Sequence, residues 1–449
     1  MSKNDIILRN PKQGALVKAT QQSQTFLTLL QQSDERRLVE LLKSIDFSSA
    51  IALISSLKHI EWTVEFIEKY AEYWDWQRLS WNKALPWSME LIERFGDSWD
   101  FEGLSGNEAL PWSMELIERF EARWDWMGLS LNEGLPWSMG LIERFEERWN
   151  WGRFGLSNNK ALPWSIELIE HFEARWRWGE YGLSSNEALP WSMELIERFE
   201  ERWVWDEFWN SGLAGNEALP WSIDLLDKFK HKWDWSSLSS NKALPWSMEL
   251  IERFEERWVW DEFWNGGLSG NEALPWSMEL IERFVERWGW KALSGNEALP
   301  WSMELIERFE ARWNFKLLSS NEGLPWSMEL IERFKTRWDW LSLSRNKALP
   351  WSMEFIERFE AHLDWSSFSR NKALPWSVEF IEHFEARWNW ERLSHNYALP
   401  WSIDLLDKFK HKWDWWELVY NKKVQQIFTA LSVQGIEEVM DYHIENENS

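Results

Sequence analysis

Along most of this chain the apolar side chains fall four residues apart, stop, and begin again. In the stretch that starts at Pro111, the residues Trp112, Leu116, Phe120 and Trp124 are spaced in this way with Ile117 beside them. That is a stripe down one side of a helix, and it does not match the two-residue alternation of a half-buried strand. Pro111 fits the first turn of this helix, where its missing N–H has no partner to lose. Glu115 and Arg119 stand four apart on the opposite face, in the order that favours an ion pair. A second apolar group, Asp125-Trp126 through Leu129-Ser130, has room for a turn or two, with Asp125 as N-cap. The pattern predicts one long helix and one short helix, α or 3₁₀, in each repeat.

The repeat length follows from proline. Thirteen of the fourteen prolines lie in Leu-Pro-Trp-Ser, from Pro86 to Pro400, at intervals of 25 residues with two intervals of 27 and two of 30. Trp62 begins a further repeat in which Glu61 replaces the proline, which makes fourteen. A fixed period of this size is the signature of a solenoid, whose repeats cannot bury their apolar faces alone and are stabilised by their neighbours. The expected architecture is therefore an all-α solenoid of about fourteen Trp-rich repeats. It divides into a helical N-terminal cap or docking segment over residues 1–58, the array over 59–415 and a helical C-terminal cap over 416–449. At fold level the repeat is similar to the short α-solenoids, and that analogy carries no specific activity.

Composition sharpens this picture. Of 43 Trp, the columns typified by Trp112, Trp124 and Trp126 take 14, 13 and 12, leaving Trp81, Trp209, Trp264 and Trp416 outside them. Helix-spaced tryptophans in an acidic setting read as core rather than as platforms for bases. An Asn column from Asn82 to Asn421 reads as buried amides bonded to a neighbour's backbone, in preference to an edge that reads a ligand. The formal charge is -25, whereas residues 1–58 carry +3. No basic stripe for a phosphate backbone is present in the array, so duplex nucleic acid is not an expected partner. The absence of Cys excludes a disulfide framework, a thiolate metal site and a Cys nucleophile. No metal-ligand spacing, phosphate loop or nucleophile motif occurs, and the sequence predicts neither a catalytic residue nor a metal or cofactor. With no signal-like or membrane-spanning run, cytoplasmic residence is the expectation.

Comparing the repeats with one another suggests where a partner binds. Helical positions barely change, but the residues after the third Trp column do: Gln77-Arg78, Met127-Gly128, Ser236-Ser237, Lys291-Ala292, Glu391-Arg392. All the insertions fall on this same edge and bring aromatics, Phe154, Tyr181, Phe208 with Trp209, and Phe263 with Trp264. These six residues are the candidate contact site, since insertions on a solenoid map to a common face and aromatics dominate hot spots. The function this implies is a non-enzymatic scaffold for protein–protein interaction with a protein partner, preferably basic, and no membrane association. The rival expectations are a DNA mimic or a sensor component acting with a separate effector enzyme, and a self-assembling filament subunit.

Overall fold

The computed structural model describes residues 32–179, 181–205, 212–262 and 266–447, and among them every regular element is a helix. The chain divides into two compact units. One comprises Met1–Pro86, Ser377–Glu382 and Trp390–Ser449, the other Trp87–Trp376 and His383–Asn389.

The repeat from Pro111, in the larger unit, shows how the sequence builds each element. The Trp112 N–H donates to the Leu110 carbonyl at 2.7 Å, closing a three-residue turn on Pro111, whose ring fixes φ close to the value such a turn requires. The same bond recurs in every repeat from Leu110–Trp112 to Leu399–Trp401. Proline therefore stands ahead of the helix rather than in its first turn. Ser113 is the N-cap, accepting the Leu116 N–H at 3.2 Å, and the regular helix is Met114–Arg119. At Phe120 the backbone leaves the helical region (φ -117, ψ 24), and turns carry the apolar stripe on to Trp124. Asp125 then caps the second helix, Trp126–Leu131, by accepting the Met127 and Gly128 N–H groups.

Ending the first helix early leaves carbonyls without amide partners, and this explains the choice of tryptophan. Trp124 Nε1 donates to the Ile117 carbonyl at 3.0 Å, Trp126 Nε1 to that of Glu121 at 3.1 Å, and Trp112 Nε1 to that of Asn107 at 3.0 Å. Each column supplies apolar surface and one donor, which Phe or Leu lacks.

Stacking is specified just as locally. Trp126 lies with its ring centre 5.2 Å from Phe145 and 4.9 Å from Trp149 of the following repeat. Ser130 Oγ donates to the Trp126 carbonyl at 2.6 Å and accepts the Asn150 N–H at 2.9 Å. Asn132 donates through Nδ2 to the Ser105 carbonyl of the preceding repeat at 2.8 Å and accepts the Gly134 N–H through Oδ1 at 2.8 Å. The Asn column is thus a buried inter-repeat clamp. Ion pairing also runs between repeats: Arg119 reaches Glu93 at 2.7 Å rather than Glu115, and Arg144 reaches Glu118. The pairing within one helix suggested by the spacing gives way because the second-turn Glu of the preceding repeat is nearer.

Insertions leave this scheme intact. In a regular repeat the Leu129 N–H bonds to the Asp125 carbonyl at 2.9 Å. With two extra residues Leu156 still bonds to Asn150 and Leu183 to Arg177, both at 2.8 Å; with five, Leu213 bonds to Val204 and Leu268 to Val259, both at 2.9 Å. The closing bond is kept and the helix before it shrinks, to 3₁₀ turns at Leu156–Asn158, Leu183–Ser185 and Leu213–Gly215. Both alternatives considered for the second helix therefore occur. Closure brings the chain so near itself that a Cβ on Gly182 would lie 2.0 Å from the Arg177 carbonyl oxygen. Gly182→Ala should cost about 1–3 kcal/mol by forcing that bond open, visible as faster amide exchange around Leu183 with distant repeats unchanged. Wild-type exchange there would refute the closing-bond account.

In the smaller unit the described segment from residue 32 packs against the last repeat and the C-terminal helix. Helix Phe47–Ser55 contacts both Trp76–Trp81 of the first repeat and Trp415–Leu418 of the last. It stands in for a repeat, because Asn82 Nδ2 donates to the Ser55 and Leu57 carbonyls at 3.0 and 2.9 Å, as other Asn side chains do to the repeat before them. The C-terminal helix Val433–Glu447 lies against the helix over residues 32–43, with His443 Nε2 2.9 Å from the Leu42 carbonyl and Lys43 donating to Glu438 at 2.5 Å. Tyr70 donates its hydroxyl proton to Asp441 at 2.8 Å.

Burial, above all, pushes the Tyr70 phenol up to about 12 from its usual 10.0; Lys69 opposes this and Asp441 adds to it. A folded-state pKa above the unfolded one stabilises fully below pH 10 and is lost as pH rises towards 12. The melting temperature should fall across that interval more steeply for the wild type than for Tyr70→Phe. Parallel curves would remove Tyr70 from the account.

Candidate ligand cleft on the variable edge

The second helices carry the variable residues, and the first of each variable pair faces solvent at Gln77, Met127, Lys291 and Glu391, whereas the second is half-buried or, at Ser237, buried. Trp81, Met127, Leu131, Phe154, Leu341, Trp416 and Tyr420, most of the large exposed apolar side chains, all lie on this edge. Elsewhere in the repeats most large apolar groups are engaged in stacking, with Met114, Met353 and Tyr397 the exposed exceptions among the described residues. The first-turn carboxylates of Glu115, Glu249, Glu279, Glu304 and Glu329 form no ion pair among the described residues, since Arg119, Arg253, Arg283, Arg308 and Arg333 are taken by the preceding repeat. The first turns of these repeats are accordingly a column of uncompensated acid.

Of the six residues singled out from the sequence, two are brought together. Phe154 is 52% exposed, and Arg153 bridges it to Tyr181 of the next repeat, its guanidinium carbon 5.1 Å from the Phe154 ring centre and 3.8 Å from that of Tyr181. Tyr181 adopts a positive φ of 52, a conformation costly for a non-glycine residue and held here by the short inserted loop. Phe208, Trp209, Phe263 and Trp264 lie outside the described residues.

A second aromatic cluster, not anticipated from the sequence, lies in the smaller unit. Trp81, Trp416 and Tyr420 are 51%, 51% and 59% exposed and line a cleft of about 400 Å³ together with Lys58, Arg78 and Gln425. Helix Trp76–Trp81 supplies Arg78 and Trp81, with Asp75 as its cap accepting the Arg78 N–H at 3.0 Å. Trp415–Leu418 and the residues after it supply Trp416 and Tyr420. The guanidinium carbon of Arg78 lies 4.5 Å from the Trp416 ring centre and 5.0 Å from that of Tyr420, a cation–π arrangement that fixes both rings. The signal was available: Trp81 and Trp416 are two of the four tryptophans outside the columns, and Tyr420 occupies the same place before Asn421 that Trp81 does before Asn82.

Among the described residues no three His, Asp or Glu side chains converge as metal ligands, and no helix is long and apolar enough to cross a membrane. No family model, curated protein or solved structure matches the chain.

Proposed function

We propose that this protein is a non-enzymatic binding scaffold for other proteins, with the short-helix edge as its contact face. The observation that carries the reading is the division of labour within each repeat. Trp, Ser, Asn and the second-turn Glu and Arg are all engaged by neighbouring repeats, and the edge is left to vary with exposed aromatic and aliphatic groups. Such residues supply interface area at low entropic cost. The unpaired first-turn carboxylates favour a basic partner by steering its approach. A second reading, mimicry of a nucleic-acid backbone towards a basic protein, rests on that same acid column.

Photo-crosslinking groups placed at Met127 and Leu341 on the edge should capture a partner that groups at the buried Leu129 and Leu343 or on the first-turn face do not, and capture should weaken as salt is raised. Equal yields from all positions would overturn the assignment of the edge. The array should show no sub-micromolar binding to duplex DNA at physiological salt, because its charge repels phosphate; a fluorescence-anisotropy titration checks this.

A further inference from the structure

We infer that the cleft formed by Lys58, Arg78, Trp81, Trp416 and Tyr420 is a small-molecule site for a compound in which a flat ring carries an acidic group. The inference goes beyond the protein-binding reading and does not depend on it.

Charge is the first argument. In a chain of net charge -25, the residues lining this cleft include two cations, Lys58 and Arg78, and one carboxylate, Asp75. Lys58 makes no ion pair among the described residues and stands exposed at the cleft. Arg78 is mostly buried, with its Nε 2.9 Å from an Asp75 carboxylate oxygen, yet that buried N–H lacks a hydrogen-bond acceptor in good alignment. Its terminal nitrogens also have no protein acceptor among the described residues. A mostly buried guanidinium with unused donors is costly unless an acceptor arrives, and its planar fork matches a carboxylate or phosphate.

The rings supply the second argument. Trp416 and Tyr420 hold the guanidinium, whereas Trp81 is half exposed beside it and makes a stacking platform for a flat ring. Exposed aromatic surface is unfavourable in the free protein, and the volume of about 400 Å³ lies in the range of small-ligand pockets, which are mainly apolar with a few placed polar groups. Ring on Trp81 and acid group on Arg78 and Lys58 uses the exposed indole face and both cations of the cleft. A nucleoside monophosphate and an aromatic carboxylate both have this chemistry, so the source of the acidic group is left to the probes.

The test uses the full chain labelled with 5-fluorotryptophan, the Trp81 and Trp416 resonances being assigned from Trp81→Phe and Trp416→Phe. Adenosine monophosphate, indole-3-acetate, adenosine and inorganic phosphate are titrated separately. At least one of the first two should shift both resonances with a Kd below about 1 mM, while adenosine and phosphate bind about tenfold more weakly or not at all. Which of the two binds identifies the source. Arg78→Gln should weaken binding about tenfold or more, and Lys58→Gln, an exposed change that leaves the fold intact, should weaken it by a smaller factor. The assignment is overturned if neither ring-bearing acid binds, if adenosine binds as well as its monophosphate and indole-3-acetate fails, or if a folded Arg78→Gln binds like the wild type. Should Arg78→Gln fail to fold, unchanged binding by Lys58→Gln overturns it instead.

Discussion

Trp338→Ala is expected to be the most damaging single substitution of a repeat side chain, at about 3–5 kcal/mol for the lost ring, with more added by the carbonyl it strands. Trp338 is buried, with ring centres of Trp326 and Phe315 each 5.1 Å away and that of Phe334 at 6.0 Å. Its Nε1 donates to the Ile331 carbonyl at 3.1 Å. Trp338→Phe keeps most of the packing and loses only the donor, so about 1–3 kcal/mol is expected. Hydrogen exchange should show protection lost in the mutated repeat and its neighbours and retained in repeats farther away, as nearest-neighbour stabilisation requires. If Trp338→Phe exchanged like the wild type, the indole donor would have no part in choosing tryptophan.

The chain contains its own compensated version of this experiment. Leu363 stands in the same column, and its repeat is rebuilt around it: the first helix extends to Phe359, and Phe355, Phe359 and Phe368 are all fully buried. Other repeats have Leu at the position of Phe368, whereas Phe66 and Phe380 share the position of Phe355. The missing indole volume is supplied by the Phe368 ring, whose centre lies 5.0 Å from that of Trp351, so volume is restored while the donor is given up.

Asn321→Leu is expected to cost about 4 kcal/mol despite its near-equal size, because two buried carbonyls lose their donor and the Gly323 N–H loses its acceptor, at roughly 1–3 kcal/mol for each buried group, with part recovered by relaxation. Asn321 donates to the Ser294 and Asn296 carbonyls, both at 3.1 Å, and accepts the Gly323 N–H at 2.8 Å. A thermal melt with exchange mapping checks this, and the substitution also separates two roles for the column. A protein that folded normally and lost partner binding would make Asn321 a ligand reader; a protein that unstacks at this junction makes it a clamp.

The repeat, its helices and the location of the core were legible because one period-four stripe recurs fourteen times, and the caps at Asp125 and its counterparts were readable from residue type alone. Where the first helix stops was not, since nothing in an apolar spacing distinguishes a helix from helix-like turns. Trp124 Nε1 on the Ile117 carbonyl, which marks that stop, is visible only in three dimensions. Arg119 illustrates the same limit for charge: neighbours in sequence suggested Glu115, whereas stacking brings Glu93 nearer. The aromatic cleft escaped for another reason. Its parts lie more than 300 residues apart, on segments whose adjacency depends on Phe47–Ser55 acting as a repeat without looking like one, save for Ser55 and Leu57 standing 25 residues before Ser80 and Asn82.

The bond that closes each inserted loop makes the edge a splice point. From Asp125 to Leu129, or from Val204 to Leu213, any length of chain that returns its leucine amide to the same carbonyl leaves the ladders on either side undisturbed. Loop content is thereby uncoupled from folding, and a gene built of near-identical repeats can exchange one loop for another by recombination without disturbing the junctions between repeats. The same decoupling makes these positions grafting sites: a foreign peptide spliced after Trp126 and followed by glycine before Leu129 would be displayed on a frame that does not need to be redesigned to hold it.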